Sequence, residues 1–119
     1  MTKASDTDAK WDAQLRKGSL ELVILAALDG HTLYGLELLN KLHGFETMQI
    51  TEGTLYPLLD RLKKEGLVDA NWVQEGDTRP RKYYELTNEG LTKLKLLTAR
   101  WRQSVSDIES LLSSGKSTG

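Results

Sequence analysis

From Leu91 onward, Leu91, Leu94, Trp101, Val105, Ile108 and Leu112 step by three and four without a break, with Thr98 as one polar member. That spacing is a heptad-like seam on one helix starting at Thr87, where Leu86 and Leu91 can staple its first turn. A helix over residues 87–112 is ~37 Å long at ~1.5 Å per residue. The chain has 119 residues, enough for one domain with a modest core, and such a core cannot cover a helix of that length. Part of the seam therefore needs a partner chain, and Leu94, Trp101, Val105, Ile108 and Leu112 are the expected contact residues. Residues 113–119 are expected as a disordered Ser/Gly/Lys tail.

Upstream the pattern is broken into shorter pieces. Residues 1–9 are polar and are expected as a disordered tail. Trp11, Leu15, Leu20, Val23, Ile24, Ala27 and Leu28 form an apolar pattern interrupted by Gly18-Ser19. The main helix is expected over residues 20–28, with an open question about its extension before Gly18, and Asp29-Gly30 closes it. A second helix is expected over residues 34–42, capped by Thr32, with Leu38, Leu39 and Leu42 turned inward and Gly44 ending it.

The third helix, over residues 50–65, departs from local rules. Thr51 suits the N-cap, Glu52 the positive helix start, and Ile50 can staple onto Leu55. Leu55, Leu58, Leu59 and Leu62 make the buried stripe. Gly66 offers a left-handed C′ residue, with Leu67 folding back on Leu62. The opposite face carries Gly53, Thr54, Tyr56 and Pro57, and a proline past the first turn costs up to ~3 kcal/mol. A broken rule inside an otherwise consistent helix points to function.

Residues 67–74 and 81–86 are β-compatible runs of Val, Trp and Tyr joined by Glu-Gly-Asp-Thr-Arg-Pro, a hairpin with a polar, partly basic tip. Three helices, a hairpin and a long helix predict a mainly α (α+β) fold: a winged helix-turn-helix over residues 10–86, with a two-stranded wing, then a dimerisation helix over residues 87–112. The chain contains no cysteine, which excludes disulfide scaffolds and thiolate chemistry. No apolar run is long enough to span a membrane, and a cytoplasmic location is expected. The net charge of −1 says nothing against a local basic patch. His31 and His43 adjoin glycines at helix ends and read as turn residues. No catalytic constellation, metal site or cofactor motif stands out, so an enzyme is not expected.

On a DNA-binding reading, Gly53 permits close backbone approach, Thr54 and Tyr56 face base edges or phosphates, and Arg61, Lys63 and Lys64 touch phosphates further along. Lys63 and Lys64 also read as ordinary solvated charges. In the wing, Arg79, Arg81 and Lys82 supply charge. Strand alternation turns one of Tyr83 and Tyr84 inward, and Tyr83 is the expected core residue with Tyr84 outward. Tyr34 and Gly35 open the second helix, where free N–H groups can hold a phosphate. Trp101 is either a dimer-core residue or one of two flat plates around a planar ligand, with Thr98, Val105, Trp11 and Leu15 as its flanks. Trp72 and Trp11 otherwise read as packing residues.

The blocks Gly18-Ser19-Leu20-Glu21-Leu22, Leu33-Tyr34-Gly35-Leu36-Glu37, Glu52-Gly53-Thr54-Leu55-Tyr56-Pro57-Leu58-Leu59, Glu65-Gly66-Leu67-Val68 and Arg81-Lys82-Tyr83-Tyr84-Glu85-Leu86-Thr87 closely resemble the PadR family of bacterial transcriptional regulators. The resemblance covers residues 18–112, and the single C-terminal helix is similar to the short subfamily. It implies a homodimer that binds a palindromic operator in double-stranded DNA, represses transcription and is released by an effector. It also implies DNA contacts for Tyr34, Thr54, Tyr56, Pro57, Arg81, Lys82 and Tyr84. Trp101 matches a tryptophan with which a multidrug-responsive short member stacks planar hydrophobic compounds. The alternative is a small-molecule binding module at the dimer interface, with DNA binding secondary.

Overall fold

The computed structural model describes residues 6–116. In chain order the elements are α1 (Asp6–Leu28), β1 (Leu33–Tyr34), α2 (Gly35–His43), α3 (Glu52–Lys64), β2 (Val68–Val73), β3 (Arg81–Leu86) and α4 (Asn88–Lys116). Fifteen apolar residues form one core, from Ile24, Leu25 and Leu28 of α1 through Leu38 and Leu42 of α2 to Leu55, Leu59 and Leu62 of α3. Leu58 packs on its margin. The fold is mainly helical, with a small antiparallel sheet and a long final helix, as the hydrophobic periods require.

Helix α1 runs unbroken through Gly18-Ser19, longer than the expected 20–28 segment. The Ser19 hydroxyl donates to the Leu15 carbonyl at 2.9 Å, inside the helix, so the pair is absorbed and does not terminate it. Residues 6–9 and 113–116 extend α1 and α4, where tails were expected; the rest of both tails lies outside the described residues. At the other end of α1, Gly30 takes φ +74° and closes the helix, as its sequence position implied.

The cap of α2 is Tyr34, not Thr32. The Tyr34 N–H donates to Glu37 Oε1 at 3.2 Å, while the Thr32 hydroxyl donates instead to Glu85 Oε2 at 3.2 Å. Tyr34 is held extended because it belongs to a strand. Leu33 and Tyr34 pair with Tyr84 and Tyr83, so the sheet has three strands in the order β1-β3-β2, one more than the wing alone provides. Two residues are too short to give a periodic signal.

Helix α3 ends as expected in a Schellman motif. Leu67 N–H donates to the Leu62 carbonyl at 2.9 Å and Gly66 N–H to Lys63 at 3.0 Å, with Gly66 at φ +78°. Its start differs in one bond. Thr51 is the N-cap by position, yet its hydroxyl contacts the Thr54 hydroxyl at 3.3 Å and caps no backbone N–H. Thr87 does cap α4, accepting the Gly90 N–H at 3.0 Å and donating to the Gly66 carbonyl at 2.6 Å. The second of these bonds fastens the start of α4 to the turn that ends α3.

Helix α4 packs along α1, and Leu94 lies inside the chain's own core at 7% exposure. That corrects its expected role as a partner contact. Beyond it, Trp101, Val105, Ile108 and Leu112 are exposed, as are Trp11 and Leu15 on the facing end of α1. The molecule measures 65 Å along its longest axis, so the outer half of α4 projects past the core.

Candidate nucleic-acid interface

Helix α3 presents Gly53, Thr54, Tyr56, Pro57 and Lys64 to solvent. Pro57 lacks the N–H that would bond the Gly53 carbonyl, which leaves bare backbone on the outer face. The Tyr56 ring lies down against Gly35, where an added Cβ would overlap the ring. Gly35 thus serves as a seat for Tyr56, a role different from the phosphate-holding helix start expected for it. Tyr56 keeps 39% of its surface exposed.

Arg61 points elsewhere. Its guanidinium bridges Glu21 Oε1 at 3.0 Å on α1 and Glu65 Oε2 at 2.9 Å. Hydrogen bonds to Glu21 and then Glu65 push its pKa above the usual arginine value. The ion pairs tie Arg61 back to its own chain, while its side chain stays 48% exposed. Lys93 of α4 approaches the second oxygen of Glu21 at 3.7 Å, so one carboxylate links α1, α3 and α4.

The wing reverses the expected tyrosine assignment. Tyr84 is buried at 3% exposure and Tyr83 is half-buried, because β3 turns its Tyr84 face onto the core. Burial first, and then the charge of Asp60, pushes the Tyr84 phenol pKa up. Tyr83 instead meets Tyr34 edge to face, with ring centroids 5.4 Å apart. Alternation also separates the two adjacent wing cations. Arg81 lies over the Tyr34 ring at 4.5 Å, on the Tyr83 side. Lys82 lies 5.9 Å from the Trp72 ring and 5.8 Å from the Tyr84 ring, on the other side. Arg79 sits exposed at the tip, near the turn in which Gly76 takes φ +59°.

Trp72 is 69% exposed, which corrects its reading as a packing residue. With Asp60 of α3 it lines a groove of about 400 Å³ between α3 and the wing, alongside Tyr34, Tyr56, Arg81 and Lys82. Neither Trp72 nor Asp60 was singled out for the interface from sequence. The signals were present: Asp60 stands one helical turn after Tyr56, and Trp72 is the cross-strand partner of Lys82 once the register is known.

A second groove, of about 500 Å³, opens where α1 meets α4. Leu15, Thr98 and Trp101 line it, and Trp11 and Val105 lie outside it. Thr47 and Met48, just before α3, form its far wall, and Arg16 donates to the Thr47 carbonyl at 2.8 Å. Trp101 is 47% exposed in the single chain, and the Thr98 hydroxyl is spent on the Leu94 carbonyl at 2.7 Å. His43 Nε2 is 2.7 Å from the Ile50 carbonyl, a bond that braces the turn between α2 and α3. Among the described residues, no helix is long and apolar enough to cross a membrane.

Comparison with known proteins agrees with this geometry. The sequence pattern of the transcriptional regulator PadR-like family matches residues 24–96. An uncharacterised protein of Lysinibacillus sphaericus is 31% identical over 89 residues, covering 73% of this chain and 82% of that one. Among solved structures, a PadR family transcriptional regulator from Eggerthella lenta superposes with a TM-score of 0.79 at 36% identity, covering 90% of this chain and 93% of that one. A PadR-like transcription factor from Bacteroides fragilis gives 0.71 at 36% identity, covering 86% and 98%. A core, wing and long final helix shared over nearly the whole length, together with the family pattern, settle the assignment: this chain belongs to the PadR-like family of transcriptional regulators, not to a family of enzymes.

Proposed function

We propose that the chain acts as a cytoplasmic homodimer that binds a palindromic operator, represses transcription, and lets go when a planar hydrophobic effector occupies the groove at Trp101. The observation that carries the reading is the outer face of α3: exposed Gly53, Thr54, Tyr56 and Pro57, flanked by a wing that carries Arg79, Arg81 and Lys82. In the proposed complex Thr54 and Tyr56 meet base edges, while Lys64, Arg79, Arg81 and Lys82 meet phosphates, and Tyr34 supports Arg81 from beneath. The buried Tyr84, the covered Gly35 and the ion-paired Arg61 act behind that surface. Dimerisation is supported by the apolar side chains left bare on α4 and α1.

The test is fluorescence anisotropy of the protein with its own upstream DNA against a scrambled fragment, at several salt concentrations. Selective binding with two chains per site and a steep salt slope is expected, because each phosphate contact releases counterions. Equal, weak binding to both fragments would remove this DNA as the operator. The reading as a small-molecule module rests on the second groove. Titration with flat aromatic cations should quench tryptophan emission, and quenching that survives Trp101→Phe unchanged would take Trp101 out of the site.

A further inference from the structure

We infer that Trp72 is a positioning residue for Lys82, holding its ammonium group on the reading-helix side of the wing, and that the exposed indole itself lies against the DNA backbone. The inference rests on the DNA-binding reading above. Trp72 and Lys82 are direct partners in the β2–β3 register, so their side chains leave the sheet on the same face. That is also the face of Tyr84, two residues from Lys82, whose ring centroid lies 5.8 Å from the ammonium. The ammonium thus rests against two aromatic rings, each at a distance where ring and cation attract.

Arg81 also lines the groove, but its guanidinium lies over the Tyr34 ring and not against Trp72, so the indole positions Lys82 alone. Lys82 makes no ion pair among the described residues, so its charge is available to a phosphate. A lysine held in advance loses less side-chain freedom on docking than one that sweeps through solvent. The fold does not need the indole. Trp72 sits where both strand ends and the whole tip are exposed, while its ring lines the groove that also holds Tyr56 and Asp60. An aromatic surface of that size beside a free cation and the reading helix is suited to the sugar-phosphate edge of a duplex.

The experiment measures binding of a short mixed-sequence DNA duplex at several salt concentrations, for the parent, Trp72→Ala, Trp72→Phe, Lys82→Ala and the Trp72→Ala/Lys82→Ala double variant. Trp72→Ala should weaken binding severalfold and lower the salt slope to that of Lys82→Ala. Trp72→Phe should restore most of both, and the double variant should lose more than Lys82→Ala alone, through the missing indole contact, but less than the sum of the two single losses. A parent-like Trp72→Ala, or losses that simply add in the double variant, overturns the inference. In a Trp11→Phe/Trp101→Phe chain, emission from Trp72 should change with Lys82→Met in the absence of DNA and change again when duplex is added. Emission indifferent to Lys82→Met overturns the positioning role, and emission indifferent to duplex overturns the backbone contact. A parent that binds no duplex at any salt would instead sink the DNA-binding reading, with the Lys82→Met comparison still deciding the positioning role.

Discussion

At Gly35 one absent methyl group decides where the Tyr56 ring rests. Gly35→Ala should lift the ring from its seat and weaken duplex binding about tenfold, or ~1.4 kcal/mol, while circular dichroism stays unchanged. Parent-like affinity would mean that Tyr56 has a second usable position. Tyr84 makes a different kind of prediction. Its phenol is raised by burial and by the charge of Asp60, so the folded chain favours the neutral form. The unfolded chain ionises near the ordinary tyrosine value of about 10. This contribution to stability is therefore full below that pH and is lost as pH rises through the folded-state value. Tyr84→Phe should show a smaller drop in urea midpoint between neutral and alkaline buffer than the parent. Equal drops would place the alkaline sensitivity elsewhere. The Tyr83/Tyr84 choice shows the limit of reading at this scale: alternation says that the two differ, and only the packing of one sheet face on the helical core says which one is inside.

Among elements, α3 was legible almost completely, because its signals are local. The leucine stripe, the glycine C′ residue and the returning Leu67 all lie within a few turns of one another, and each formed as its spacing implied. Gly66→Ala forces a side chain into left-handed backbone and should cost ~1–2 kcal/mol in urea unfolding. A cost near zero would show that the end of α3 can relax without the motif. Strand β1 and the cap of α2 were not legible. Both depend on Tyr34 meeting β3, about fifty residues away in sequence, and no local pattern carries that pairing. The same reason explains Arg61, whose place on the helix suited a phosphate contact until Glu21, forty residues earlier, claimed it.

For the whole molecule, the decisive feature is what the single chain leaves uncovered. Ile108 is 55% exposed and stands in line with Val105 and Leu112. If the proposed dimer forms through this seam, Ile108→Lys should convert it to monomers in sedimentation and reduce operator binding with it, because a palindrome's two half-sites must be engaged together. A variant that remains dimeric would move the interface away from this seam. Trp101→Ala separates two arrangements of the proposed dimer. A cost of ~3–5 kcal/mol in unfolding marks a tryptophan packed in a closed seam, and a change near zero marks an open, water-filled pore able to admit a ligand.

The sequence by itself determined the order of the helices and the wing, the three leucine-faced helices and the hairpin. Each of these is written in spacing, and hydrophobic spacing acts over a few turns of chain. Only the tertiary structure decided the third strand, the burial of Tyr84 and Leu94, the withdrawal of Arg61 and the exposure of Trp72. Those outcomes depend on which distant segments meet, and burial belongs to the meeting of surfaces, not to either surface alone.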